Sequence, residues 1–383
     1  MNFRYLPYDA PLAGYAAQAG ELLEAWRAGD AHAVELVKQK HPRFRDEAIP
    51  WLPRPVSEAE VRATPFGRSD AETTVARCYD FRDWEALAEY VESVSHRDSP
   101  VARFERAVEA VVDGDAAMLR NLLREDADLA RARSTRVTHF DPPVHRATLL
   151  HYMAANGVEN HRQRTPPNAV EITNVLLEAG ADPDALADLY GGQCSVMSML
   201  VSSGPPAEAG VQVALIDALV DAGASVEPRG AADWASPLMT ALTFDCIPAV
   251  HALLRRGARA DTVAAAAGLG RVEDVRRLLA EAGATDRHLA LALAAQHGHA
   301  EIVRLLLDAG EDPDRFNPRG HHRYSTPLHQ AVWGAHLDVV RAIVERGARL
   351  DIRDAVHKST PLGWAEYRKR EEVAEYLRAH GGV

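Results

Sequence analysis

A chain of 383 residues with 47% hydrophobic and 26% charged residues is too long for one small core and has the make-up of a folded protein, so several domains or a repeat array fit. A formal charge of −12 would repel a phosphate backbone, which argues against a nucleic-acid partner. Cys78, Cys194 and Cys246 lie too far apart for a CxxC motif or a disulfide framework, and they suit a reducing compartment.

The N-terminal stretch lacks the basic and apolar regions of a secretory signal, and no later stretch is apolar enough to span a bilayer. A cytoplasmic protein without a membrane partner is expected. Lys38, Lys40, Lys358 and Lys369 are the only lysines among many arginines, a bias common in GC-rich bacterial genomes.

In chain order, residues 17–39 read as two helices broken at Ala28-Gly29-Asp30. Prolines at 42, 50, 53, 55 and 65 exclude long helices up to about Ser69. Ser69-Asp-Ala-Glu72 has capping-box spacing and opens a helix to Cys78; another runs from Trp84 to Val94 with Asp83 as its cap. Phe81 and Trp84 are expected in the core of that hairpin. Phe104 to Leu129 reads as a degenerate helix pair.

From Thr148 onward a unit repeats. Apolar pairs followed by Gly begin at Leu176, Leu219, Leu253, Leu278, Leu305 and Ile343, with a last one at Tyr376, giving steps of 43, 34, 25, 27, 38 and 33 residues. Ahead of most pairs stands a Thr or Ser motif: Thr148-Leu-Leu-His151, Ser195-Val-Met-Ser198, Ser236-Pro-Leu-Met239, Thr326-Pro-Leu-His329 and Thr360-Pro-Leu-Gly363. Thr or Ser caps a helix start, Pro fits its first position, and Gly ends the second helix in the left-handed conformation.

Thr326-Pro-Leu-His-Gln-Ala331 and Gly298 to Asp314 resemble the ankyrin repeat, a turn plus two helices on about 33 residues. The string from Asp70 to Glu92 is similar to the helical segment ahead of the repeats in many bacterial members. The resemblance implies an all-α ankyrin-repeat solenoid with an N-terminal helical cap region. It divides the chain into 1–99, a helical region with a degenerate helix pair; 100–147, a degenerate unit and linker; and 148–383, an array of about seven units, two lacking hairpin fingers.

The array departs from a plain repeat in three ways. Insertions follow Gly157 (VENHRQRTPPN) and Gly204 (PPAEAGV); such loops either carry function or are tolerated excursions. Two units run almost directly into the next helix, at Gly257–Asp261 and Gly283–Asp286, without room for a finger. The loop Asp312 to Ser325 is overlong, so a notch over the inner helices bordered by that loop is expected.

In the repeat frame the variable positions of the first helix face the concave side. They place Tyr152, Asn156, Phe244, Gln296, His297, Gln330, Trp333, Trp364, Tyr367 and Arg368 there as partner contacts, the alternative being that some lie flat as satellite core. His151 and His329 are expected to bridge the capping hydroxyl to neighbouring backbone, as the resemblance implies. His145-Arg146 and Arg319 with His321-His322-Arg323 form a possible ligand or anion loop, joined by Tyr190 in an Asp-Leu-Tyr-Gly-Gly turn. No metal and no cofactor is expected.

No Gly-x-Ser-x-Gly, P-loop or HExxH motif occurs, so catalysis is not expected. The expected function is a protein–protein interaction adaptor, monomeric, using its concave aromatic face and loops. One alternative is a small-molecule or enzymatic site built from the insertions, with Asn160, His161 and Arg164, and from the His321–Arg323 loop. A second alternative is a toxin-neutralising partner whose acidic surface meets a basic toxin.

Overall fold

The helix pairs of such a unit are too short to enclose their own apolar stripes, so each must bury them against the next pair. The computed structural model describes residues 3–47, 49, 51–230 and 234–383, so Pro50 lies outside the described residues. The chain forms two compact units, Met1–Ser225 with Arg229–Ala235, and Val226–Pro228 with Ser236–Val383. The divide falls inside the array, whereas the three-part division of the sequence follows motif content.

Unit 1 begins with helices α1 (Leu12–Arg27), α2 (Ala31–Lys40), α3 (Glu58–Ala63), α4 (Arg68–Cys78) and α5 (Trp84–Ser95). Their core gathers Tyr15, Leu22, Val37, Val61, Val75, Phe81 and Leu87, with Trp84 packed at its margin. Asp83 caps α5 by accepting from the Ala86 N–H at 2.8 Å. At α4 the expected cap is displaced: Ser69 lies inside the helix, because the Asp70 carboxylate accepts from the Gly67 N–H at 2.8 Å and starts the helix earlier.

Unit 1 continues with α6 (Pro100–Asp113), α7 (Ala116–Glu125), α8 (Leu149–Ala154), α9 (Ala169–Glu178), α10 (Val196–Leu200), α11 (Gly204–Glu208) and α12 (Gln212–Asp221). Inner helices α6, α8 and α10 stack in one layer; outer helices α7, α9 and α12 stack in another. A hairpin finger, β1 (Leu186–Leu189) and β2 (Gly192–Ser195), pairs antiparallel with Leu186 opposite Ser195 and Leu189 opposite Gly192. Tyr190 and Gly191, both at positive φ, make its two-residue turn.

Unit 2 holds five pairs: α13 (Pro237–Thr243) with α14 (Ile247–Arg255), α15 (Val263–Gly268) with α16 (Val272–Leu279), α17 (Ala284–Gln296) with α18 (Ala300–Asp308), α19 (Pro327–Trp333) with α20 (Leu337–Glu345), and α21 (Pro361–Tyr367) with α22 (Glu371–Ala379). Each inner helix packs on the next, and the outer helices from α16 onward do likewise. Leu291, Leu293, Val303, Leu306 and Val340 are fully buried between layers, each stabilising the stack by roughly 2 kcal/mol.

The capping histidines take the bridging position in both units. The Thr148 N–H donates to His151 Nδ1 at 3.2 Å, so the proton sits on Nε2, which donates to the Cys194 carbonyl at 3.4 Å. His329 repeats this geometry with Thr326 and the Ser359 carbonyl. Burial lowers both imidazoles to about 4, because a charged ring would have to leave water and surrender the acceptor on Nδ1.

Candidate functional site

In unit 1 the insertion after Gly157 is drawn inward. The Asn160 backbone N–H and carboxamide donate to the Asp80 carboxylate at 2.8 and 3.0 Å. Arg162 is 1% exposed and pairs with Glu105 at 2.7 Å and Glu109 at 2.8 Å. Arg136, also buried, pairs with Glu159 at 3.0 Å and lies 4.2 Å from the Phe81 ring centroid. Burial opposes the charge on Glu159, yet Arg136 and Arg162 outweigh it and hold the carboxyl at about 2. Burial likewise opposes the Arg162 charge, and Glu105, Tyr90, Glu159 and Glu109 together more than restore it.

This cluster corrects two expectations. Asn160 and Arg164, read as ligand groups, are committed within the chain, Arg164 to Asp113, and His161 stacks on Tyr5 at 4.7 Å. Tyr152 is no concave contact: it is 1% exposed, and its hydroxyl donates to Glu159 at 3.3 Å. Nearby, Asn156 donates to Ser202 Oγ at 2.9 Å and accepts from the Tyr190 hydroxyl at 2.9 Å, which uses its carboxamide and tethers the otherwise exposed Tyr190. His145 Nδ1 lies 3.1 Å from the Gly157 carbonyl, and Arg146 is exposed at positive φ. The second insertion folds into α11.

In unit 2 the missing fingers are compensated by the long loop. His321 reaches Thr243 Oγ1 at 3.3 Å, and His322 Nε2 donates to the Thr243 carbonyl at 3.0 Å, closing the open end of α13. His321 is therefore buried and no ligand group, and Arg323 folds onto the neighbouring Tyr324, 4.8 Å from its ring centroid. Arg319 is exposed. Beneath the loop, α15 is a thin Ala-Gly helix. Leu242 and Leu293 close to within 3.2 to 3.5 Å of where a Gly268 Cβ would stand. Gln296 and His297 at the end of α17 thus reach past it to the Leu242 carbonyl, at 3.3 and 3.0 Å.

A groove of about 1100 Å³ opens beside this loop. Its aromatic wall is built by α19 and α21: Trp333 and Trp364 meet edge to face at 5.7 Å, and the Arg368 guanidinium lies 4.1 Å over the Trp333 ring. Trp364 is held by its Nε1 donating to Asp354 at 3.0 Å, a buried carboxylate that also accepts from the Val356, His357 and Ser359 N–H groups. Burial would raise Asp354, but those donors prevail and its pKa falls below the ordinary value. The opposite rim carries Phe244 and His322, 6.1 Å apart.

The groove brings together Phe244, Gln296, His297, Gln330, Trp333, Trp364, Tyr367 and Arg368, which were expected on the concave face, and His322, which was expected in the ligand or anion loop. Two of them serve as floor: Gln330 is 4% exposed and donates to Ser325 Oγ, and Gln296 is 8% exposed with its amide pinned on α13 carbonyls. Asp245, Ile247, His336, His357 and Arg370 also line it and were missed. All but His357 sit within two residues of the left-handed turn closing an inner helix, so extending the repeat frame through that turn would have found them.

A family model described as ankyrin repeats, in three copies, matches residues 262–354, which lie beneath and beside this groove. Human cyclin-dependent kinase inhibitor 2A is 38% identical over 131 residues, covering 32% of this chain and 79% of that protein. Bovine cyclin-dependent kinase 4 inhibitor B is 39% identical over 125 residues, covering 31% of this chain and 92% of the relative. The chain belongs to the ankyrin-repeat family. Among solved structures, the human ASB11 ankyrin repeat domain aligns with a TM-score of 0.37 at 19% identity, over 72% of this chain and 98% of that one. As an ankyrin-repeat protein the chain is a binding protein rather than an enzyme. Among the described residues no helix is long and apolar enough to cross a membrane, and no group of three metal-ligating side chains converges.

Proposed function

We propose that this ankyrin-repeat protein is a monomeric, cytoplasmic adaptor that captures a protein partner in the groove of unit 2. One observation carries the reading: Phe244, Trp333 and Tyr367 are 43%, 44% and 81% exposed along a single concavity, with Arg368 stacked among them. Large aromatics left in water lose the burial free energy they would gain under a partner, and Trp, Tyr and Arg are the side chains that most often dominate interfaces. Two relatives are named as inhibitors of cyclin-dependent kinases, proteins that act by engaging another protein, which supports the mode without supplying the partner. The Arg-rich, Lys-poor composition supports a bacterial source.

The test is capture from an extract of the source cell by the immobilised chain. Replacing Trp333 and Tyr367 together by Ala should remove the captured partner, since hot-spot truncations cost about 2 kcal/mol or more each. Equal capture by the double variant would reject the groove as the interface.

A further inference from the structure

The charge around the groove differs from that of the chain that carries it. The chain is −12, with 55 acidic against 43 basic residues. The groove is lined by Arg368 and Arg370 against the single carboxylate of Asp245, with His297, His322, His336 and His357 as further polar groups. Arg368 is pinned flat on Trp333, so its orientation is already set, yet among the described residues its guanidinium meets no carboxylate. Arg370 donates to the Trp333 carbonyl at 3.3 Å, and its Nε, buried, has no hydrogen-bond partner there. Elsewhere in unit 2 some exposed arginines are paired, Arg276 with Glu301, Arg346 with Asp308 and Arg378 with Glu366, while Arg255, Arg271 and Arg304 meet neither a carboxylate nor an aromatic ring among the described residues; the pair at the groove differs by sitting beside Trp333. Two guanidiniums without carboxylates beside an aromatic corner form half of a recognition site.

Gln296 gives a second, independent pointer. Its Nε2 donates to the Leu242 and Thr243 carbonyls, which fixes its orientation, and its Oε1 is buried without a donor at the groove floor. A buried acceptor left without a donor is costly, and an N–H from an occupant would satisfy it.

Resting on the protein-binding reading above, we propose that the occupant is an extended acidic segment of the partner. An aromatic or large aliphatic side chain enters the corner between Trp333 and Trp364. Flanking Asp or Glu carboxylates take the edge of Arg368 in bidentate fashion and meet Arg370. A groove of about 1100 Å³ exceeds what one small metabolite fills and suits several residues of chain. A second copy of this protein is a poor occupant, because two surfaces of a −12 chain repel.

The test uses the full chain and three labelled peptides, read by fluorescence polarisation. The first has a Phe or Leu centre flanked by Asp and Glu, the second the same centre flanked by Lys and Arg, and the third the acidic flanks around a Ser centre. The first should bind alone, weaken about tenfold or more with Arg368→Glu, and weaken further as salt rises, while the melting curve of the variant stays in place. Equal binding of the basic or the Ser-centred peptide, or an Arg368→Glu variant that binds as well as wild type, would overturn the acidic-segment assignment. A photo-crosslinker at position 367, used in source-cell extract, separates the two levels. A Trp333-dependent adduct with another protein, without any acidic preference among the peptides, keeps the adaptor reading and rejects this inference. No adduct and no peptide binding rejects both, and an adduct of twice the chain's own mass shows a second copy and rejects this inference.

Discussion

The two units spend their departures from the repeat in opposite directions. In unit 1 the insertion after Gly157 turns inward, places Arg162 against Glu105 and Glu109, and covers Tyr152, so the side chains most able to bind something are used to hold the unit together. In unit 2 the loop from Asp312 to Ser325 closes only the gap left by the missing fingers and stops at Thr243. The aromatics of α19 and α21 stay open beside it. The same scaffold thus yields a buried, ion-paired polar cluster in one place and an open aromatic groove in the other. Loop length alone does not distinguish these outcomes; what the loop can reach does.

The sharpest way to break this contrast is Arg162→Ala. Removing one member of a buried ion cluster leaves Glu105 and Glu159 buried with less compensation, at a cost of about 3 to 5 kcal/mol. Hydrogen exchange read by mass spectrometry should accelerate through α5 to α9, with α17 to α22 unchanged. Equal acceleration in both stretches would mean that the cluster is not a property of unit 1 alone.

That contrast also explains what could be read from the sequence. The helix pairs, the capping residues of the repeat units and the histidine bridges were legible because each depends on groups within a few residues and recurs: Thr326 and His329 make the bond that Thr148 and His151 make. The groove aromatics fall on three variable positions of the frame, Trp364 on the first, Trp333 and Tyr367 on the second and Phe244 on the third, and the strongly exposed ones are on the last two. Burial of Tyr152 was not legible, because the frame gives the direction of a side chain and not what lies over it, and the cover includes Glu159 from the insertion after Gly157. Asp80 meeting Asn160 joins positions 80 residues apart with no local signal. The loop histidines failed similarly: a His-His-Arg run reads as exposed until the open carbonyl of Thr243, far upstream, claims it.

Acid sharpens the comparison next. His151 and His329 are fully buried with folded pKa values of about 4, below the unfolded value near 6.5, so the unfolded chain binds more protons between those limits. Stability from each is complete above about pH 6.5 and is lost as pH falls, by up to about 3 kcal/mol at pH 4. One of these capping histidines lies in each unit, and unit 1 adds His139 and His161, lowered by burial to about 3, whose loss runs on to lower pH. Glu159 adds a second window to unit 1: its carboxyl is depressed to about 2, so its contribution holds above the ordinary carboxyl value of 4.5 and is lost as pH falls towards 2. Exchange rates followed from pH 7 downward should rise together in both units, then continue rising in unit 1 below about pH 4.5. If unit 2 alone rises in that lower range, the ion cluster is not what distinguishes the units.

The smallest expected effect compares one frame position across the units. The turn after α8 uses two left-handed residues, its C-cap Ala155 at φ 52° and, at the frame position that ends the turn, Gly157 at φ 71°. A Cβ there would stand 2.5 Å from Leu189, so Gly157→Ala combines backbone strain with a clash and should cost about 1 to 3 kcal/mol. Around the groove of unit 2 the same position holds Asp245, Ala335 and Lys369, at φ 56°, 59° and 55°. These pay a conformational penalty that glycine would relieve, so Ala335→Gly or Lys369→Gly should raise stability by up to about 1 kcal/mol in chemical denaturation. The sign is the informative part. A loss on either glycine substitution would mean that these turns are braced by their side chains, and that the mouth of the groove, including the Arg368–Arg370 segment around Lys369, is held in shape by more than the helix ends it joins.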